Sequence, residues 1–275
     1  MTGVRLLALD LDGTLMCPDF LIRPRVRAAI SGAIDLGVTV TIATGRMYRS
    51  AVPYATSLGI SAPLVCYQGA YVREMPASDG TPGRVLLHRP LDPASARVAV
   101  AWARERGFDP HVNMDDRLLM QAGDQSAEDY EWLSGVGAEF VPDLLAVMVA
   151  PVTKVLAIGP APLPERSLGA AREAFAGRAH VTVSHPDYLE WNATGVTKAG
   201  GLAWLARRLG IPMRETMAIG DQYNDAEMIA AVGLGVAMGG APAPVRAAAR
   251  HVTGPLDEDG AAVAIEELVL GGCAA

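Results

Sequence analysis

The residues best placed to do chemistry lie near the start of the chain. VRLLALDLDGTL (residues 4–15) sets two aspartates, Asp10 and Asp12, directly after the apolar run 4–9 and directly before Gly13 and Thr14. A short aliphatic run closed by a glycine turn predicts a strand buried on both faces, as in a parallel sheet. Unpaired carboxylates are costly inside such a strand. At its C-terminal edge they face the place where open α/β sheets bind ligands. Asp and Gly are also common in plain turns, so the meaning of this stretch depends on what accompanies it.

Three further stretches carry polar residues at a strand end or a helix start. Thr44-Gly45-Arg46 follows the apolar run VTVTIA (38–43). Lys198 opens a predicted helix in TGVTKAGG (194–201). Asp221, Asn224 and Asp225 lie in GDQYND (220–225), which ends the run TMAIG (216–220). Each has a plain reading alone: Thr44 as a helix cap, Lys198 as a solvated lysine, the last stretch as an Asx turn. Those readings give no reason for all four to recur, in order, at equivalent strand–loop–helix positions.

The elements that must position these residues alternate. Pro24 opens a predicted helix that Gly37 stops; VTVTIA is a second buried strand; a helix follows from Met47, with Pro53 expected to distort it; and residues 63–67 make a third strand. This β-α-β-α-β order predicts a doubly wound parallel sheet. The Pro/Gly/Ser-rich MPASDGTPG (75–83) marks a boundary. Beyond it, strands neighbour strands: RVLLH, DPHVNM and RLLMQA around Asp115-Asp116, VTKVLAIG, HVTVSH and YLEW, with helices near 93–106, 128–133 and 164–176. That is α+β order. Alternation returns from residue 198 to the end. The expected organisation is therefore an α/β, doubly wound, mostly parallel Rossmann-like core built from residues 1–82 and 190–275, interrupted by an inserted α+β domain at 83–189.

Composition narrows the class. With 51% apolar residues over 275 positions, a sizeable core is available. A net charge of −7 argues against binding nucleic acid or an anionic membrane through bulk positive charge, yet allows a small phosphorylated substrate. Cys17, Cys66 and Cys273 are far apart and odd in number, which predicts reduced thiols and a cytoplasmic setting. No stretch has a signal-peptide pattern or the length of a membrane span. His88, His111 and His185 are not clustered as a metal site requires, and Asp115-Asp116-Arg117 reads as a hairpin turn. Trp191 reads as a packing residue.

DLDGT, IATGR, VTK and GDQYND, in this order and with an insert of this length between the second and third, resemble the haloacid dehalogenase-like (HAD) superfamily. The insert resembles the cap of its Cof-type, or IIB, branch. The resemblance spans nearly the whole chain. Gln68-Gly69 stands where the branch usually has Asn-Gly, and Gly240-Ala241 where it often has Asn-Ala. The resemblance implies a phosphatase of small phosphorylated metabolites such as sugar phosphates, or else a phosphomutase on the same core; a phospho-ligand sensor without turnover is the non-enzymatic alternative. It implies Asp10 as nucleophile forming an aspartyl-phosphate and Asp12 as acid, then base. It also implies phosphate contacts from the Leu11 and Gly45 backbone, Thr44, Lys198 and Asn224. Mg²⁺ would be held by Asp10, Asp221 and the Asp12 backbone carbonyl, with Asp225 orienting its neighbours. Arg46 could face the substrate or pair with a carboxylate. Oligomeric state is not legible.

Overall fold

In the computed structural model, residues 3–121 and 135–271 are described. The helix expected near 128–133 and Cys273 lie outside them. In chain order the first part contains β1 (Leu6–Leu9), α1 (Pro24–Asp35), β2 (Thr39–Ile42), α2 (Tyr48–Ser57), β3 (Leu64–Cys66), β4 (Tyr71–Arg73) and β5 (Val85–His88). The middle adds α3 (Pro93–Arg104), β6 (Asp109–Met114), β7 (Arg117–Gln121), β8 (Ala138–Val141), α4 (Leu144–Val147), β9 (Lys154–Ile158), α5 (Leu163–Ala174), β10 (His180–His185) and β11 (Tyr188–Asn192). The last part is α6 (Lys198–Arg208), β12 (Thr216–Gly220), α7 (Ala226–Ala231), β13 (Leu234–Ala237), α8 (Ala243–Ala248), β14 (His251–Val252) and α9 (Gly260–Leu268).

The chain divides into two compact units: Met1–Gly45 with Ala51–Leu86 and Thr197–Ala275, and Arg46–Ser50 with Leu87–Val196. The first unit is built on a parallel five-stranded sheet in the order β14-β13-β12-β1-β2. Leu6 to Leu9 are fully buried, as a central strand of aliphatic residues requires. The chain winds from β1 to one side through β2 and to the other through β12, so the strand order reverses between β1 and β12. Leu9 pairs with Ile219, and the residues just beyond, Asp10 and Asp221, leave neighbouring strand ends at that switch point. α1 buries Val26, Ala29, Ile30 and Ala33, one face of a helix that begins on Pro24. Pro53 lies inside α2 without ending it.

The third expected strand is shorter than its apolar run and does something the alternation did not predict. β3 touches the main sheet through a single parallel bridge, Ala43 to Val65. It then turns through Tyr67, Gln68 and Gly69 into β4, which pairs back on it antiparallel in a small β3-β4-β5 sheet.

The second unit holds a six-stranded sheet, β10-β11-β9-β6-β7-β8, in which only β7–β8 is parallel. One face packs against α3 and α5, where Trp102, Phe175 and Trp191 meet edge to face at 5.6–6.3 Å between ring centres. Trp191 is thus a packing residue. Alternation sends His111, Lys154 and Glu190 to the opposite face, where Lys154 Nζ lies 3.1 Å from Glu190 Oε1 with both side chains buried. Burial pushes the His111 imidazole down to about 4, so it stays neutral at pH 7. β6 and β7 are joined by Asp115-Asp116, both at positive φ (51° and 57°), the two-residue hairpin that right-handed strand twist favours. The Asp116 carboxylate accepts from the Tyr48 and Arg49 backbone N–H groups at 3.1 and 3.2 Å, both of which cluster with this unit.

Candidate active site

Asp10 is the first residue past β1 and is 4% exposed. Lys198 is the first residue of α6, a helix started by Thr197, whose hydroxyl accepts from the Gly200 N–H at 3.1 Å. This cap fixes where the helix begins and so where its first side chain points. Lys198 is 1% exposed, which overturns the solvated-lysine reading. Its Nζ donates to Asp10 Oδ1 and to Asp225 Oδ1, both at 2.7 Å.

Asp225 is fully buried. Its second oxygen accepts from the Asp221 and Gln222 backbone N–H groups, each at 3.0 Å. The plain reading of this stretch as a capping turn therefore holds, and the same turn aims Asp221. Asp221 Oδ1 accepts from the Thr14 hydroxyl at 2.9 Å. Gly13 makes this approach possible: it has φ +76°, and a Cβ there would lie 2.3 Å from Asp221 Oδ2. Carboxylate oxygens of Asp10, Asp221 and Asp225 all lie within 4.8 Å of one another, the one such group among the described residues.

Electrostatics follow from this crowding. Burial raises the Asp10 carboxyl well above its usual range; Lys198 opposes this, while Asp225, Asp221 and Asp12 reinforce it. Burial, followed by the Asp225 charge, pushes Asp221 up to about 7. Burial also works against the Lys198 ammonium, but Asp10 and Asp225 outweigh it and its pKa lies above the ordinary lysine value. Two carboxylates about 4–5 Å apart repel by roughly 3–4 kcal/mol at an effective dielectric near 20. One lysine cannot offset three such acids. A divalent cation would, and an all-oxygen donor set of this kind suits Mg²⁺. The residues present therefore fit a magnesium ion. Asp10 and Asp221 are the side chains that could hold it, since both Asp225 oxygens are committed to Lys198 and backbone N–H groups.

The other expected residues lie in the turns that follow β1, β2 and β12. Thr44 is 1% exposed; its N–H donates to the Val65 carbonyl at 2.9 Å. It does not cap a helix, because α2 starts only at Tyr48. Asn224 Nδ2 donates to Gln68 Oε1 at 3.0 Å. The Leu11 carbonyl accepts from the N–H groups of Thr14, Leu15 and Met16 at 2.9–3.3 Å, closing the turn that follows the strand. Asp12 is exposed and lies outside the three-acid group. Arg46 donates to the Ser50 hydroxyl at 3.2 Å and clusters with the second unit. Sequence reasoning gave Thr14 no separate role, although it stood in DLDGT, and treated Gln68 only as a departure from a motif.

A model of the haloacid dehalogenase-like hydrolase family matches residues 7–265. The chain belongs to that family. Across 97% of its length it is 31% identical to 5-amino-6-(5-phospho-D-ribitylamino)uracil phosphatase YcsE of Bacillus subtilis, covering 96% of that protein. It is also 31% identical to the HMP-PP phosphatase of Serratia proteamaculans, over 86% of this chain and 84% of the relative. Among solved structures, a haloacid dehalogenase-like hydrolase from Bacteroides thetaiotaomicron superposes with a TM-score of 0.83 at 28% identity, covering 96% of this chain and 99% of that one. This HAD-like protein is thus a hydrolase with phosphatase relatives, of the Cof type that its motifs predicted.

Proposed function

We propose that this hydrolase is a Mg²⁺-dependent phosphatase that cleaves a small phosphorylated metabolite through an aspartyl-phosphate on Asp10. The observation that carries the reading is Lys198 Nζ at 2.7 Å from both Asp10 and Asp225, in a buried group that also holds Asp221. A lysine so placed aims Asp10 and favours its ionised form against the burial that raises its pKa, which is the form a carboxylate nucleophile uses. The names of the two curated relatives support a phosphorylated small-molecule substrate.

When bound, magnesium would supply charge neutralisation and orientation of the transferring phosphoryl group. The chain's own residues do the rest. Asp10 attacks phosphorus through a carboxylate oxygen. Asp12, exposed at the mouth of the same turn, gives a proton to the leaving oxygen and then takes one from the water that hydrolyses the acyl phosphate. Thr44, the Gly45 and Leu11 N–H groups, Lys198 and Asn224 hold the equatorial oxygens, where fixed donors matter more than covalent help. Asp225 orients Lys198 and the Asp221 turn.

The test is Asp10→Asn assayed with an aryl phosphate and Mg²⁺. Turnover is expected to fall by roughly 10³-fold or more, the scale of removing a nucleophile, while the circular dichroism spectrum is retained. Wild-type rates in that variant would overturn the mechanism. Free phosphate measured with sugar phosphates separates hydrolysis from a mutase, which would return isomers instead.

A further inference from the structure

The turn Tyr67-Gln68-Gly69 is built at a conformational cost and touches three of the four motif loops. Its residues have φ of 52°, 57° and 93°, three consecutive positions in the left-handed region. For tyrosine and glutamine that region is sparsely populated, and such outliers persist only where the surroundings hold them. The Gln68 N–H donates to the Thr44 carbonyl at 3.1 Å, which ties the turn to the loop after β2. The Gln68 carboxamide lies over Gly45 so closely that a Cβ on that glycine would be 2.5 Å from Nε2. Its Oε1 accepts from Asn224 Nδ2 at 3.0 Å, which ties the turn to the loop after β12. Gly69 lies against the start of α6: a Cβ there would be 2.2 Å from the Thr197 carbonyl oxygen, the residue before Lys198. Gln68 itself is 2% exposed.

We propose that Gln68 is a positioning residue for phosphate binding: it sets the carboxamide of Asn224 and the Thr44-Gly45 backbone relative to each other. This rests on the phosphatase reading for the role of the site. Two loops from opposite sides of β1 must present donors to one phosphoryl group, and their strands, β2 and β12, each pair with β1 rather than with each other. The glutamine side chain spans that gap. Asparagine, one methylene shorter, would not reach Asn224 from the same backbone position.

The experiment uses the full-length protein with Mg²⁺ and inorganic phosphate, titrated by calorimetry, alongside steady-state kinetics with an aryl phosphate. Gln68→Met keeps the shape and the backbone bond to Thr44 but removes the side-chain hydrogen bond from Asn224. Its phosphate Kd and its KM are expected to rise about tenfold with kcat within about threefold, the signature of lost binding rather than lost chemistry. Gln68→Asn should show the same loss, and because asparagine accepts positive φ it carries the test if the methionine variant does not fold. In a double-mutant cycle, adding Gln68→Met to Asn224→Ala should cost little more than Asn224→Ala alone. A purely structural role would lower the melting temperature and multiply the two effects. Phosphate affinity within twofold of wild type in the folded glutamine variants, or full multiplicativity in the cycle, overturns the proposal. Phosphate titration does not require turnover, so its result stands apart from that of Asp10→Asn.

Discussion

Asp221 shows how far neighbours can move a single group. Its carboxyl is pushed up to about 7 by burial and by the Asp225 charge, so near neutral pH a proton and a divalent cation compete for it. Below pH 7 the half-activating Mg²⁺ concentration should therefore climb, by up to about tenfold per pH unit, because a protonated ligand must first lose its proton. The sign for stability is opposite to that of an ordinary paired acid. The folded carboxyl holds its proton more tightly than the unfolded one, so without metal, stability is retained below about pH 4 and is lost as pH rises toward 7. Melting curves with and without Mg²⁺ at pH 5 and 7.5 check both statements: the metal should add more stability at the higher pH. Asp221→Ala should abolish the difference, and an unchanged Mg²⁺ titration in that variant would remove Asp221 from the ligand set.

Among the elements, the sheet of the second unit carries a charge pair where its helix-packed face carries aromatic rings. Lys154 on β9 and Glu190 on β11 are 2% and 3% exposed at the side chain, and the Ser184 hydroxyl donates to the same Glu190 oxygen at 2.6 Å. Removing one partner leaves a buried charge uncompensated. Lys154→Met should cost about 3–5 kcal/mol in denaturant unfolding. Lys154→Met with Glu190→Leu should recover most of that, since an apolar pair of similar volume is often neutral or better. A single variant as stable as wild type would show that the pair is hydrated in solution. The periodicity of DPHVNM and VTKVLAIG was enough to place β6 and β9. It did not reveal β4, β8 or β14, which are short and take their pairing from neighbours distant in sequence rather than from their own pattern.

At the scale of the whole molecule, two units with separate cores share one chain, and the first is assembled from three segments. The acid–lysine group draws on two of these segments, Asp10 from the first and Lys198, Asp221 and Asp225 from the last, while the segment between them brings Gln68 to Asn224. Unfolding is expected to depart from two-state behaviour, and Mg²⁺ should raise the transition of the unit that holds Asp10 while leaving the other in place. Calorimetry decides this; one transition that moves as a whole would contradict it. No helix among the described residues is long and apolar enough to cross a membrane.

Read as sequence, the chain already declared its α/β class and pointed to Asp10, Lys198, Asp221 and Asp225 as residues to look for together. Those follow from local pattern, because strand periodicity and the polar residues at strand ends are properties of short windows. What folding alone decided is which atoms meet. That Lys198 bridges Asp10 and Asp225, that Thr14 holds Asp221, and that Gln68 reaches Asn224 across 156 positions are contacts between distant segments. Their geometry depends on strand order and on turns whose positive φ no local pattern announced, so they became visible only once the sheet had brought the loops to one edge.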